Sequence, residues 1–346
     1  MLESNMKIRI KSLSTLLFCL LISINLLAQN KPRIFINEFL ASNISTNPDM
    51  VDFGDFSDWI ELYNDEDSDF DLGGYYLTDD FAILNKWQFP SNTIIPAKEF
   101  YLIWADDFND VPGNIYERNW WPDGIEFTTK WCHTNFKLNK DGDGIGLFDQ
   151  VGNIIDSVFF TAQVTDVSSG RQPDGSNNWF YFSEPTPLNS NTSIGLNSTN
   201  ISGGVNFSYG GGFYESTVQI ELTSSSGFGI IRYTTNGSKP NTFSKIYSSP
   251  LAVDENTVFR ARVFEEWKLP GITTSNSYFI GEERNLPAVS LVADPTFLWD
   301  RQLGIYINSY KERQIPVSLE YFPLNSARAF SLDAGARIGG ENIFLS

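Results

Sequence analysis

The sequence predicts an all-β protein: two tandem β-sandwiches followed by an incomplete α+β segment at the C-terminal end. Three observations predict it. Short runs in which apolar and polar residues alternate recur along the chain, at residues 34–39, 58–63, 75–77, 100–104 and 144–148, and a period of two marks a strand with unlike faces. Gly, Pro, Asn and Asp punctuate those runs, and helical periodicity is scarcely seen. The chain holds 28 Phe, 14 Tyr and 9 Trp against 3 Met, a balance that suits pleated surfaces better than helical bundles.

Residues 1–28 read as a secretory signal. Lys7, Arg9 and Lys11 form a basic start, residues 16–27 an apolar run broken only by Ser23 and Asn25, and Ala28 precedes Gln29 at the expected cleavage point. The run is too short for a membrane span and no other approaches spanning length, so the mature chain is expected to carry none. Cys19 lacks the small preceding residues of a lipidated cysteine. With the signal removed, Cys132 is the sole cysteine and no internal disulfide forms.

The first sandwich is expected over residues 33–191. At its centre, residues 133–160 read as a β-meander: two alternating strands flank the turn Asp141-Gly142-Asp143-Gly144, and a turn at 149–153 brings in a third. Trp59 and Glu61 alternate with Ile60 and Leu62, which predicts one packed face and one that carries charge. Residues 106–131, rich in Trp and Pro, read as a long surface loop. Pro185, Pro187 and a run of Asn, Ser and Thr lead into a linker at 192–204. The second sandwich covers 205–280, where Phe259, Ala261 and Val263 alternate with Arg260 and Arg262, and Asn236-Gly237 marks a turn. In residues 286–346 the apolar runs 289–292 and 304–307 read as strands that lack most of their partners, as in a fragment of a longer protein.

A net charge of -18 and a sequence pI of about 4.4 set the chain against phosphate backbones, and nucleic acid is excluded as a partner. Together with the signal, the acidity points to a secreted, extracellular or cell-surface protein.

Five words in order, INEFLASN (36–43), DWIELYN (58–64), HTNFKL (133–138), DGIGLFDQVGNIIDSVFF (143–160) and GRQPDGSNNW (170–179), resemble the lamin-tail domain of secreted bacterial multidomain proteins. The words GGGFYESTVQIEL (210–222), IRYTTNGSKPN (231–241), YSSPLAV (247–253) and TVFRARVFEE (257–266) resemble the small sandwich at the C-terminus of chitobiase and β-hexosaminidase enzymes, an accessory, non-catalytic module of carbohydrate-active proteins. Both resemblances imply immunoglobulin-like β-sandwiches. Residues 286–346, with LPAVSLVADPTFLWDRQLGIYIN, PVSLEYF and FSLDAGARIGG, resemble the truncated opening of the CotH kinase family. That likeness implies an atypical kinase using ATP and a divalent metal, with its catalytic residues beyond this stretch.

The residues that invite a site are few, and each has a plain alternative. Asp65, Asp67, Asp69 and Asp71 offer closely spaced carboxylates to a hard cation such as calcium, or form a solvated loop. The Asp141–Gly144 segment lacks the acidic residue an EF-hand loop needs and reads as a hairpin turn. His133 is the only histidine, which removes multi-histidine metal sites, and it reads as structural. Residues 335–340 lack the ending of a phosphate loop. Trp120, Trp121 and Trp131 suit stacking on sugar rings, or cover a sandwich edge. The function expected is therefore a multidomain binding and positioning protein, non-catalytic in this stretch and without a cofactor of its own, with a cell-surface protein or glycan as partner. The alternatives are the N-terminal part of a CotH-like kinase and a carbohydrate-binding accessory protein.

Overall fold

The computed structural model describes residues 31–49, 56–107, 132–309, 313–324 and 327–339. The chain is almost entirely β. In its first unit the strands are β1 (Ile34–Leu40), β2 (Asp58–Asn64), β3 (Phe70–Asp71), β4 (Tyr76–Thr78), β5 (Trp87–Gln88), β6 (Ile94–Ile95), β7 (Phe100–Ala105), β8 (Cys132–His133), β9 (Gly142–Phe148), β10 (Ile154–Thr161), β11 (Ser168–Arg171) and β12 (Trp179–Phe182). One sheet has the order β12-β11-β1-β2-β7-β8, a second the order β10-β9-β4-β5, and β3 pairs with β6. Ile36, Ile60 and Ile103 from the first sheet meet Leu77, Ile145 and Leu147 from the second in one buried core, which makes the unit a sandwich.

Two local expectations change here. The β9–β10 hairpin forms with the turn where the sequence put it, Asp149 accepting the amides of Val151 and Asn153 at 3.0 and 2.7 Å. The strand expected before the Asp141–Gly144 turn does not form. Residues 134–141 touch the β7 edge at isolated points, the Thr134 amide donating to the Trp104 carbonyl at 2.8 Å and Lys137 bridging Asp106, while Phe136 and Leu138 are buried in the core. Alternation in this segment reports two anchored side chains, not a ladder. On β2 both faces are buried, so the predicted charged outer face is absent: Trp59 packs with Leu40, Leu102 and Trp104, and Glu61 is covered by the segment after β12. A cover supplied from more than a hundred residues away leaves no mark on a local period.

The second unit holds β13 (Val205–Phe207), β14 (Gly212–Tyr214), β15 (Val218–Ile220), β16 (Leu222–Ser224), β17 (Ile230–Thr234), β18 (Lys245–Ile246), β19 (Leu251–Val253), β20 (Thr257–Phe264) and β21 (Thr274–Ile280). A sheet of order β14-β21-β20-β17-β18 lies with the pairs β13-β16 and β15-β19. Phe259, Ala261 and Val263 on β20 face its buried core, as the alternation requires.

The connection between the sandwiches is pinned at both ends. Leu196 bridges Tyr181, Ile201 bridges Leu269, and Val167, Leu196 and Leu269 share one buried cluster across the two units.

The last described part holds β22 (Ala288–Val292), α1 (Pro295–Trp299), β23 (Ile315–Phe322) and β24 (Phe330–Ala336), the strands forming one antiparallel sheet. Asp294 caps α1, accepting the Thr296 amide at 2.9 Å, and Pro295 fills the first turn, where a missing amide costs nothing. Residues 304–307 form turns in place of the predicted strand, because the Gly304 amide bonds back to Asp300 at 2.8 Å and that of Asn308 to Gly304 at 2.9 Å. This sheet docks on the second sandwich through stacked Phe213 and Phe279, with Phe322 edge-on to both and Arg284 4.0 Å above Phe213.

Candidate functional site

Where the three parts meet they enclose a cavity of about 1040 Å³. Each wall follows from a local choice of sequence. The first sandwich contributes Asp58, at the start of β2, and Asp166, in the turn before β11; the second contributes Lys239, Arg260 and Arg262. Because β20 turns its odd-numbered residues into the core, its two arginines project from the opposite face and line the opening.

The arginines are held by backbone and hydroxyl oxygens. Arg262 Nε donates to the Gly271 carbonyl at 2.7 Å, Arg260 Nη1 to that of Gly237 at 2.8 Å, and Arg260 Nε to Ser275 Oγ at 3.2 Å. Burial lowers both guanidinium pKa values, that of Arg262 to about 10. Asp58 is the acidic counterpart, its pKa pushed up to about 6 by burial, which outweighs the lowering by the Asn43 amide, the charge of Lys137 and the Leu138 amide. Asp166 ties the walls together. It accepts the amides of Ile44 and Ser45 at 3.0 Å each and pairs with Lys239 of the second sandwich at 3.1 Å. Phe56 and Phe297 close another side edge-to-face at 5.5 Å. The cavity thus sets charged groups of both signs in a mainly apolar wall, suited to a ligand with both donors and acceptors.

Beside it lies the only group of potential metal ligands among the described residues: Asp49, Asp106 and His133. β8 runs parallel to β7 with His133 opposite Trp104, so His133 and Asp106, two residues further along, come to the same face of the sheet edge. His133 Nδ1 lies 2.6 Å from Asp106 Oδ2 and 3.7 Å from Oδ2 of Asp49, whose side chain is fully buried in the loop after β1.

The carboxylates expected to hold a cation each have partners of their own. Asp65 pairs with Lys98 at 2.9 Å and Arg33 at 3.4 Å, and Asp67 with Lys98 at 3.2 Å. Asp69 accepts the Ala97 amide at 3.1 Å and Asp71 that of Gly73 at 2.8 Å. Asp65 and Asp67 thus share Lys98, while Asp69 and Asp71 turn to backbone amides. Trp120, Trp121 and Trp131 lie outside the described residues. Sequence reasoning missed Asp49 and Asp106, since only the β7–β8 pairing and the path of the loop bring them to His133. The Arg260–Arg262 alternation was a readable signal, and it was read for the strand alone.

Residues 28–162 match the family model described as Lamin Tail Domain, and residues 209–274 that of the Chitobiase/beta-hexosaminidase C-terminal domain. Neither match reaches the last sheet. No curated protein matches the chain.

Proposed function

We propose that this is a secreted or cell-surface protein whose two sandwiches act as binding and positioning modules, with the junction cavity receiving a glycan. The likeness of each sandwich to a non-catalytic module supports the positioning role. The observation that carries the ligand reading is the cavity itself, in which Asp58, Arg260 and Arg262 offer fixed acceptors and donors to hydroxyl-bearing rings. A glycan panel probed with the full chain tests it. Binding that falls at least tenfold in Arg262→Met supports the cavity. Binding that is unchanged there but lost in Trp120→Ala and Trp121→Ala moves the site to the tryptophan-rich segment. Absence of glycan binding leaves a cell-surface protein as the partner to seek. Export is checked by the intact mass of the natural product, which should lack residues 1–28.

A second reading, the N-terminal part of a CotH-like kinase using ATP and a divalent metal, is favoured by one observation besides the sequence resemblance. Val289, Leu291, Phe330 and Leu332 leave one face of the last sheet exposed among the described residues, as the first layer of a larger domain would. Magnesium-dependent ATP turnover by the natural product supports this reading; its absence argues against it.

A further inference from the structure

We infer that Arg232, Arg260 and Arg262 form a site for one acidic sugar unit, holding its carboxylate or sulfate ester at the junction cavity. The inference rests on the reading of that cavity as a glycan site and narrows it to glycans that carry an acid. Three features support it. The first is placement. Arg232 on β17 is paired with Arg262 on β20, and Arg260 lies two residues back along the same strand, so all three project from the outer face of the sheet. Their Cβ atoms stand about 5 Å apart across the strands and roughly 7 Å apart along β20. Arg260 and Arg262 line the cavity, and Arg232 extends the row.

The second is positive charge without an acid partner. Like charges set directly opposite each other destabilise a sheet, and these three guanidiniums are half-buried as well. Among the described residues no carboxylate lies within ion-pair distance of any of them; Asp294 and Asp333 act on Arg260 from beyond it. The acids of the same wall are engaged elsewhere, Asp166 with Lys239 and two amides and Asp294 as the cap of α1. An acid group on the ligand relieves the repulsion.

The third is preorganisation. Arg232 Nη1 donates to the Ser244 carbonyl at 2.7 Å, and Arg260 and Arg262 are fixed by Gly237, Ser275 and Gly271. Arg260 Nη2 and Arg232 Nε and Nη2 make no bond among the described residues. A planar guanidinium meets a carboxylate or sulfate with paired N–H donors, and one held in place beforehand loses little entropy on binding. The net charge of -18 does not oppose this, because at physiological salt charges beyond about 8 Å are screened. A single acid group meets the arginine row, whereas a polyanion running over the surface is repelled.

The test uses the full chain. A xylotriose bearing one glucuronate is compared with its methyl ester, and a galactotetraose bearing one sulfate ester with its desulfated form. Calorimetric titration should show at least one acid form binding about tenfold or more tighter than its neutral twin. That margin should shrink as sodium chloride rises from about 50 to about 500 mM. The pair that shows the margin identifies the acid. Arg260→Met and Arg232→Met should each remove most of it, while Lys140→Met, which alters an ion pair with Asp141, leaves it intact. Where a variant fails to fold, the wild-type comparison of acid and neutral twin still decides. Equal affinity for both members of each pair overturns the acid site and leaves the glycan reading standing. No affinity for either acid, with a neutral hit on the glycan panel, does the same; an empty panel removes the glycan reading along with it.

Discussion

Glu38 and Glu61 stand opposite each other across β1 and β2, and both are fully buried. Burial pushes Glu38 up to about 7 from 4.5, and burial together with the charge of Glu38 raises Glu61 well above its ordinary value. A carboxyl with a raised folded-state pKa favours the folded state fully below its unfolded pKa, and that contribution is lost as pH rises through the folded value. For Glu38 the window runs from 4.5 to about 7, and the shift corresponds to about 3 kcal/mol. Asp58 adds a loss in the same sense between 3.8 and about 6. Glu265 acts in the opposite sense: its bonds to Lys268, the Gly203 amide and Ser226 hold it at about 2, so its contribution is present above 4.5 and disappears as pH falls through about 2. The melting temperature should therefore peak near about pH 4, where the Glu265 contribution is nearly complete and the losses at Asp58, Glu38 and Glu61 have barely begun, and decline towards pH 8. Thermal melts in a buffer series check this, and Glu38→Gln, which carries no charge to bury, should flatten the decline. A melting temperature that climbs from pH 5 to pH 8 would refute the assignment.

At the scale of elements, the same two glutamates explain why residues 184–191 are not a free tether. Glu38 accepts the Thr186 amide at 3.3 Å and its hydroxyl at 3.2 Å, Glu61 accepts the Leu188 amide at 2.5 Å, and Asp174 accepts that of Asn191 at 3.1 Å. The segment then carries Leu196 into the cluster with Val167 and Leu269 that joins the two sandwiches. Leu269→Ala removes a side chain that is 1% exposed and should cost about 2–5 kcal/mol; calorimetry should show one transition separating into two as the units uncouple. A shift below half a kilocalorie would mean that the cluster does not couple them. Gly237→Ala should loosen a different contact, that of the second sandwich with the last part of the chain, since φ is +87° and an added Cβ would lie 2.3 Å from the Ala293 carbonyl oxygen. Such long-range ties mark the limit of what was legible in the sequence. Alternation placed β1, β2, β7, β9 and β20 to within a residue or two, because a buried face imposes its period locally. The polar Asn, Ser and Thr of 184–204 gave no sign of the buried carboxylates that hold them, and the HTNFKL word gave the same period for two anchored side chains as for a strand. His133 was visible as the only histidine, whereas its partners became visible only once β8 was paired with β7.

For the whole molecule, the exposed face of the last sheet separates the two readings of function. The pairing Val289–Tyr321–Phe330 and Leu291–Leu319–Leu332 aligns six large apolar residues across three strands, and Leu291 and Leu332 are 59% and 46% exposed. An aligned face of this kind is unusual on a monomer surface and drives association when nothing covers it. The double substitution Leu291→Thr with Leu332→Thr keeps strand propensity while removing the apolar contact. In the 346-residue chain it should change stability by no more than about 0.5 kcal/mol per site, and sedimentation should show less self-association. In the natural product the two readings of function diverge. If the sheet is the first layer of a CotH-like domain, the same residues are core residues there, and the pair should cost several times as much, about 2 kcal/mol or more per site. If the positioning reading is complete, the small effect seen in the 346-residue chain should recur. Denaturant melts of the two proteins with and without the substitutions separate the readings on stability alone, before any substrate has been identified.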